Sequence, residues 1–188
     1  MENIRAYFEQ MVDLTEADWR VFSSKLKRTE HKKRTTLLNM GDVENSLSFI
    51  EKGSVRYFIP KEEYDLTFGF CFETQFTSAY DSFVTRQPST YQIETLSATV
   101  LWSLTHADLQ DIYLKTKIGQ EIGRLTAENL FIMKAKREQS LLNETSEQRY
   151  LNLFTERPNL IKEIPLKYIA SYIGITPQSL SRIRKAIS

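Results

Sequence analysis

The stretch "PLKYIASYIGITPQSLSRIRKAIS", Pro165 to Ser188, constrains this chain most. Leu166, Ile169, Ala170 and Ile173 recur at i, i+3, i+4 and i+7, the stripe of an amphipathic helix with one buried face. Gly174 follows the last periodic residue, and glycine closes a helix there because positive φ costs it no Cβ clash. Thr176 and Pro177 then open a second helix. The threonine hydroxyl can accept from a free backbone N–H at the N-cap, and proline at the first helical position forfeits no helical hydrogen bond. Helical geometry turns Leu180, Ile183 and Ile187 inward and Gln178, Ser181, Arg182 and Lys185 outward. Small Ala170 permits close approach of two helices linked through Gly174 and Ile175. The pattern predicts a helix-turn-helix, with a helical hairpin that merely caps a core as the alternative.

Charge favours the first reading. Residues 162–188 hold five bases (Lys162, Lys167, Arg182, Arg184, Lys185) against one acid, Glu163, a net +4 that leaves −3 on the rest of a chain whose formal charge is +1. Positive charge gathered on the outer face of a second, recognition-type helix is the electrostatic footprint of DNA binding.

The remaining composition excludes more than it suggests. At 188 residues and 41% hydrophobic content the chain can build one sizeable domain and a smaller one. The N-terminus is mixed and charged, and no apolar run reaches membrane-spanning length, so a cytoplasmic protein with no membrane partner is expected. A single cysteine, Cys71, forms no internal disulfide and no multi-cysteine centre, while His31 and His106 lack ligand spacing. No nucleophile elbow or glycine-rich phosphate loop occurs. Neither metal, cofactor nor enzymatic activity is expected.

Along the chain, residues 3–27 read as helical, with Thr15 to Asp18 resembling a capped start of a second helix. From Thr35 to Leu104 short aromatic and β-branched runs alternate with turns, which predicts a sandwich or barrel. Within it "SLSFIEKGSVRYFI" reads as two strands paired in a hairpin at Lys52-Gly53, and Thr77 to Ser89 as a short helix with a loop. After a short helix at "HADLQDIY" comes the longest helix, about residues 117–143. Ile118, Ile122, Leu125, Asn129 and Ile132 fall there at 4-3-4-3 spacing, the seam of a coiled coil with a second copy, or alternatively a face packed on the chain's own β-domain. "SEQRYLNLFTERPNL" forms a further helix that Arg157-Pro158-Asn159 ends.

A β-roll, a long helix and a C-terminal helix-turn-helix in that order resemble the Crp/Fnr family of bacterial transcription regulators. The resemblance spans nearly the whole chain, and "LSFIEKGSVRYF" and "IPLKYIASYIGITPQSLSRIRK" carry it best, the latter similar to short-tailed Bacteroidetes members. It implies an α+β chain: helices and a cyclic-nucleotide-binding-like β-roll (a double-stranded β-helix) at 1–116, a dimerisation helix at 117–143, and a helix-turn-helix domain without a full wing at 144–188. It further implies a homodimer on a palindromic operator in double-stranded DNA, regulating RNA polymerase and answering a small-molecule effector. Thr176, Gln178, Ser179 and Arg182 match base- or phosphate-contacting positions, with Lys167, Arg184 and Lys185 completing the basic surface. Pro177 stands where some members carry arginine, which implies a different operator sequence.

The effector pocket implied by the resemblance takes in Glu73, Arg86, Ser89 and Thr90. The glycine preceding the glutamate in cyclic-AMP binders is missing before Glu73, and Gln87 and Pro88 separate Arg86 from Ser89. Without that glycine the backbone cannot cradle an anion readily, and Phe72, Phe76, Tyr80 and Phe83 offer bulk to fill a purine's volume. A degenerate pocket is expected. The competing readings are a ligand-binding or protein-interaction module with a non-functional helix-turn-helix, and a cupin-type β-roll enzyme.

Overall fold

A computed structural model of the chain describes residues 1–187. Two compact units divide it: Met1–Ile59 with Phe70–Glu128, and Pro60–Gly69 with the chain from Asn129 onward.

The first unit opens with helices α1 (Glu2–Glu9) and α2 (Glu16–Ser23). Thr15 caps α2 as its sequence predicts, its side chain accepting from the Asp18 amide. The helical reading of 3–27 overran at both ends of α2. Residues 10–14 leave the helix, and Lys27 already opens strand β1 (Lys27–His31).

Strands β2 (Thr36–Leu38), β3 (Ser46–Lys52), β4 (Val55–Ile59), β5 (Leu66–Cys71), β6 (Phe76–Thr77), β7 (Gln92–Thr95) and β8 (Thr99–Thr105) complete two four-stranded sheets. Their orders are β1-β8-β3-β6 and β2-β7-β4-β5, the double-stranded β-helix of a roll. The expected hairpin at Lys52-Gly53 does not form. Both strands exist, but β3 pairs with β8 and β6 whereas β4 pairs with β7 and β5. Gly53 therefore turns the chain from one sheet to the other. It sits at φ +96, and a Cβ on it would come within 2.6 Å of the Ala98 carbonyl oxygen, so both conformation and space require glycine.

Two apolar clusters fill this unit. Ile4, Phe8 and Phe22 from α1 and α2 meet Phe49 and Leu104 on the first sheet, together with Phe83, Leu109, Ile112 and Ile122. Rings interlock at edge-to-face geometry, with Phe8 and Phe22 centroids 4.7 Å apart and Phe49 and Phe76 5.2 Å apart. Between the sheets lie Leu38, Ile50, Val55, Ala79, Ile93 and Leu101, with Tyr57 and Tyr91 packed on them. Helix α3 (Tyr80–Thr85) lies in the β6–β7 connection, and α4 (His106–Lys115) follows β8 behind a full capping box from Thr105 and Asp108.

The long helix α5 runs Gly119–Asn143. Lys117 and Ile118 precede it, contrary to the predicted start, because the Gly119 amide is held by the Thr116 hydroxyl and the Lys117 amide by Asp18.

In the second unit, α6 (Ser146–Glu156) begins at a capping box of Thr145 and Gln148. Proline at 158 does not simply terminate structure. It occupies the first turn of α7 (Pro158–Glu163), where its missing N–H costs nothing. Helices α8 (Leu166–Tyr172) and α9 (Pro177–Ala186) follow. Leu160, Ile169, Ala170, Ile173 and Leu180 are at most 1% exposed, which makes this small core continuous through the last two helices. Among the described residues no helix is long and apolar enough to cross a membrane, and no three His, Cys, Asp or Glu side chains gather as a metal site requires.

Candidate nucleic-acid interface

The turn between α8 and α9 is built as its residues predict. Gly174 adopts φ +79, its amide bonds the Ser171 carbonyl, and the Ile175 amide reaches back 3.0 Å to the carbonyl of Ala170. Thr176 caps α9 with its hydroxyl 3.2 Å from the Ser179 amide, and the two hydroxyls lie 3.0 Å apart. Leu180 anchors α9 with Ile183 beside it, a burial worth about 1.5–3 kcal/mol for the leucine alone. Ile187, expected to face inward, is 39% exposed at the C-cap of α9, where its amide still bonds the Ile183 carbonyl.

This geometry leaves Gln178, Ser181, Arg182 and Lys185 exposed on one face of α9. Thr176 and Ser179 border that face at its N-terminal end. Arg184 is exposed too, yet it lies about 200° round the helix from Arg182 and belongs to the other side. Lys167 is exposed on α8, its ammonium 4.9 Å from the centroid of the Tyr168 ring.

Three arginines that sequence reasoning passed over fix α8 in place. Arg149 donates to the Ile173 carbonyl at 2.9 Å and to the Glu144 carbonyl at 2.5 Å, while Arg137 donates to the Tyr172 carbonyl. These are carbonyls at the ends of α8 and α5, which helical bonding leaves free and where the helix dipole favours a cation. Arg137 also stacks 3.7 Å from the Tyr172 ring centroid, and Arg157 Nη1 bonds the Tyr172 hydroxyl at 2.9 Å. Burial, with Arg157 and Arg149 nearby, lowers the pKa of Arg137. No pattern of side chains announces such contacts, since backbone oxygens far along the chain accept them.

The predicted effector residues do not converge. Glu73 accepts from the Gly53 amide at 3.0 Å. Arg86 closes α3 in the left-handed conformation at φ 60 and donates to the carbonyls of Glu44 and Phe83 and to Asn45 Oδ1. Ser89 is buried and its hydroxyl serves the backbone of Tyr91, whereas Thr90 faces solvent. Among the described hydrogen bonds none joins two of these four residues.

The roll interior is filled by other side chains than the sequence indicated. Phe76, Tyr80 and Phe83 pack into the cluster of the N-terminal helices. Tyr57 and Tyr91 occupy the space between the sheets, ring centroids 6.2 Å apart. The Tyr57 hydroxyl lies 2.6 Å from the Thr77 hydroxyl and accepts from the Ser78 amide, and burial pushes its pKa well up. Opposite charges meet directly across β4 and β7, where Arg56 Nη2 stands 2.7 Å from Glu94 Oε1 with both side chains largely buried.

The predicted coiled-coil seam is divided. Ile122 is buried in the chain's own first unit, and Ile118 packs on the same cluster, so the alternative reading holds at this end. Leu125 is half-buried, and Asn129 and Ile132 are exposed. The large exposed apolar residues of α5 include Phe131 at 73% and Leu142 at 77%. With Ala127 and Ala135 they lie within about 40° of one line along the helix, which also carries exposed Glu138, roughly 100° round from Ile132.

No protein-family model matches the chain, and no curated protein is similar to it. Solved structures are. A Crp/Fnr-family transcriptional regulator from Eubacterium rectale superposes with a TM-score of 0.72 at 18% identity, over 97% of this chain and 87% of that one. A CooA variant from Carboxydothermus hydrogenoformans gives 0.70 at 12% identity, over 93% and 80%. The c-di-GMP-responsive global regulator CLP of Xanthomonas campestris gives 0.68 at 16% identity, over 92% and 91%. Likeness at this level along nearly the full length of each chain establishes architecture, and the chain has the fold of the Crp/Fnr-type transcriptional regulators.

Proposed function

We propose that this chain is a sequence-specific DNA-binding transcription regulator that acts as a homodimer on a palindromic operator and has no catalytic role. One observation carries the reading: an exposed basic and amide-bearing face, Gln178, Arg182 and Lys185, stands on a helix whose opposite face is locked into a helix-turn-helix core. Such a face suits the major groove, where the first turns of a recognition helix meet base edges. The functional division is 1–116 for the roll, 117–143 for the dimer helix and 144–188 for DNA, with RNA polymerase as the downstream partner. Two-fold pairing along Ala127, Phe131, Ala135 and Leu142 replaces the seam through Ile118 and Ile122.

Arg182 sits one turn into α9 and suits bidentate contact with guanine O6 and N7, which discriminates by about 1–3 kcal/mol. Arg182→Ala is expected to relax preference at one base per half-site, about 5- to 150-fold. Lys185→Ala is expected to weaken all sequences alike and lower the salt slope. Operator variants measured over a salt series check this, and equal losses for both substitutions across the panel would refute the assignment.

The roll, in this reading, is degenerate toward cyclic nucleotides. A cyclic phosphate must exchange water for several directed donors, and Arg86, the one cation among the four implied pocket residues, is already committed to carbonyls and Asn45. Calorimetric titration with cyclic AMP or cyclic GMP is expected to give no saturable heat and no change in DNA affinity. Micromolar binding by either would contradict it. Any effector is then smaller or more apolar than a purine nucleotide.

A further inference from the structure

The connection between β4 and β5, "PKEEYDLTFG", joins two strands of the roll yet packs as part of the second unit. A side chain of α8 bonds its backbone. The Ser171 hydroxyl donates to the Asp65 carbonyl at 3.0 Å and accepts from the Thr67 amide at 2.8 Å, so a single oxygen satisfies two backbone groups more than a hundred residues away in sequence. Thr67 is 1% exposed, and the Lys134 ammonium lies 5.7 Å from the Phe68 ring centroid. Beyond these anchors the tip is open to solvent: Lys61, Glu62, Glu63 and Tyr64 are exposed.

The charges are opposed. The tip bears three acids, Glu62, Glu63 and Asp65, against Lys61, and it is fastened to the first helix of the most basic segment of the chain. We propose that the β4–β5 tip is an autoinhibitory clasp, which Ser171 holds on the helix-turn-helix so that its carboxylates oppose the approach of DNA phosphates. This rests on the DNA-binding reading above. Backbone hydrogen bonds to one hydroxyl form a reversible fastening, because each is worth little net and neither strand of the roll must break to release it. Charge so placed acts through space within a Debye length of about 8 Å at physiological salt, which covers the neighbourhood of α8. Release then raises DNA affinity without a change in the recognition face, and a signal that moves β4 or β5 acts on DNA through this segment.

Two variants separate fastening from charge. Ser171→Ala removes both hydrogen bonds with the smallest change of volume, and Glu62→Gln with Glu63→Gln removes charge while leaving the backbone contacts. Hydrogen exchange at the Thr67 amide and affinity for duplex DNA are measured for each full-length protein. Ser171→Ala is expected to accelerate Thr67 exchange and to raise affinity about three- to tenfold. The double glutamine variant is expected to raise affinity comparably at low salt, to lose that advantage as salt increases, and to leave Thr67 exchange unchanged. Unchanged exchange in Ser171→Ala would overturn the clasp, and lowered affinity in a folded Ser171→Ala protein would show the tip to be a buttress. If no protein retains any DNA, the DNA-binding reading and the inhibitory role fall together, while Thr67 exchange still reports the fastening by itself.

Discussion

Replacing Ile122 by glutamate is expected to unfold the first unit, not to split a dimer. Ile122 is 9% exposed and belongs to the cluster of Ile4, Phe8, Phe22, Phe49 and Leu104. A carboxylate placed there loses its water and meets only apolar carbon, and either it remains charged at a cost of several kcal/mol or it takes up a proton and loses most of its solvation. Since whole domains are stable by about 5–15 kcal/mol, a loss of more than about 4 kcal/mol removes most of that margin at the lower end of the range. The conservative Ile122→Val should cost only about 0.5–1.5 kcal/mol and keep the fold. Thermal and denaturant unfolding followed by circular dichroism check both. A glutamate variant that melts like the parent but sediments as a monomer would return Ile122 to a subunit interface.

That contrast shows where a sequence stops being informative. The 4-3-4-3 spacing of Ile118, Ile122, Leu125, Asn129 and Ile132 is real, but spacing specifies a buried face and is silent about what buries it. At its N-terminal end α5 leaves Thr116 and Gly119 under α4 and α2, so its first apolar residues are consumed by the chain's own core. Further along the same helix, Phe131 and Leu142 are exposed at 73% and 77%. The helix-turn-helix was legible because its determinants are local: the stripe, Gly174, and the Thr176-Pro177 start act within a few residues of one another. The strands after Thr35 were legible for the same reason, whereas β1 at Lys27–His31 and the pairing of all of them were not. Gly53 looks like a hairpin turn in either arrangement, and the choice between pairing β3 with β4 or with β8 is made by residues fifty positions away. Ser171 and the arginines around Tyr172 bind mainly backbone groups, which carry no sequence signature. Arg86 has the residue type a pocket needs, yet it donates to the carbonyls of Glu44 and Phe83, which no sequence pattern marks.

Charging the exposed line of α5 should have the opposite consequences from charging Ile122. Phe131 and Leu142 are 73% and 77% exposed, so Phe131→Glu with Leu142→Glu removes little buried surface from the chain and should leave its melting temperature within a few degrees of the parent. Their eleven-residue separation is close to three full turns, which puts both on one line with Ala127 and Ala135 between and beside them. In a two-fold dimer each residue meets its counterpart or a near neighbour, so the substitution adds four like charges to those of the two Glu138 side chains in one interface that must be dehydrated to close. The double variant is therefore expected to sediment as a monomer at micromolar concentration. A dimer on a palindrome binds its second half-site as an intramolecular event, an advantage of about 10²–10⁴ in affinity that the monomer forfeits. Affinity for the full operator should fall by that factor, whereas affinity for a duplex carrying a single half-site should stay as it was, since α9 is untouched. A variant that remains dimeric with full operator affinity would place the interface on another face; a monomer whose operator affinity is unchanged would mean that one recognition helix suffices.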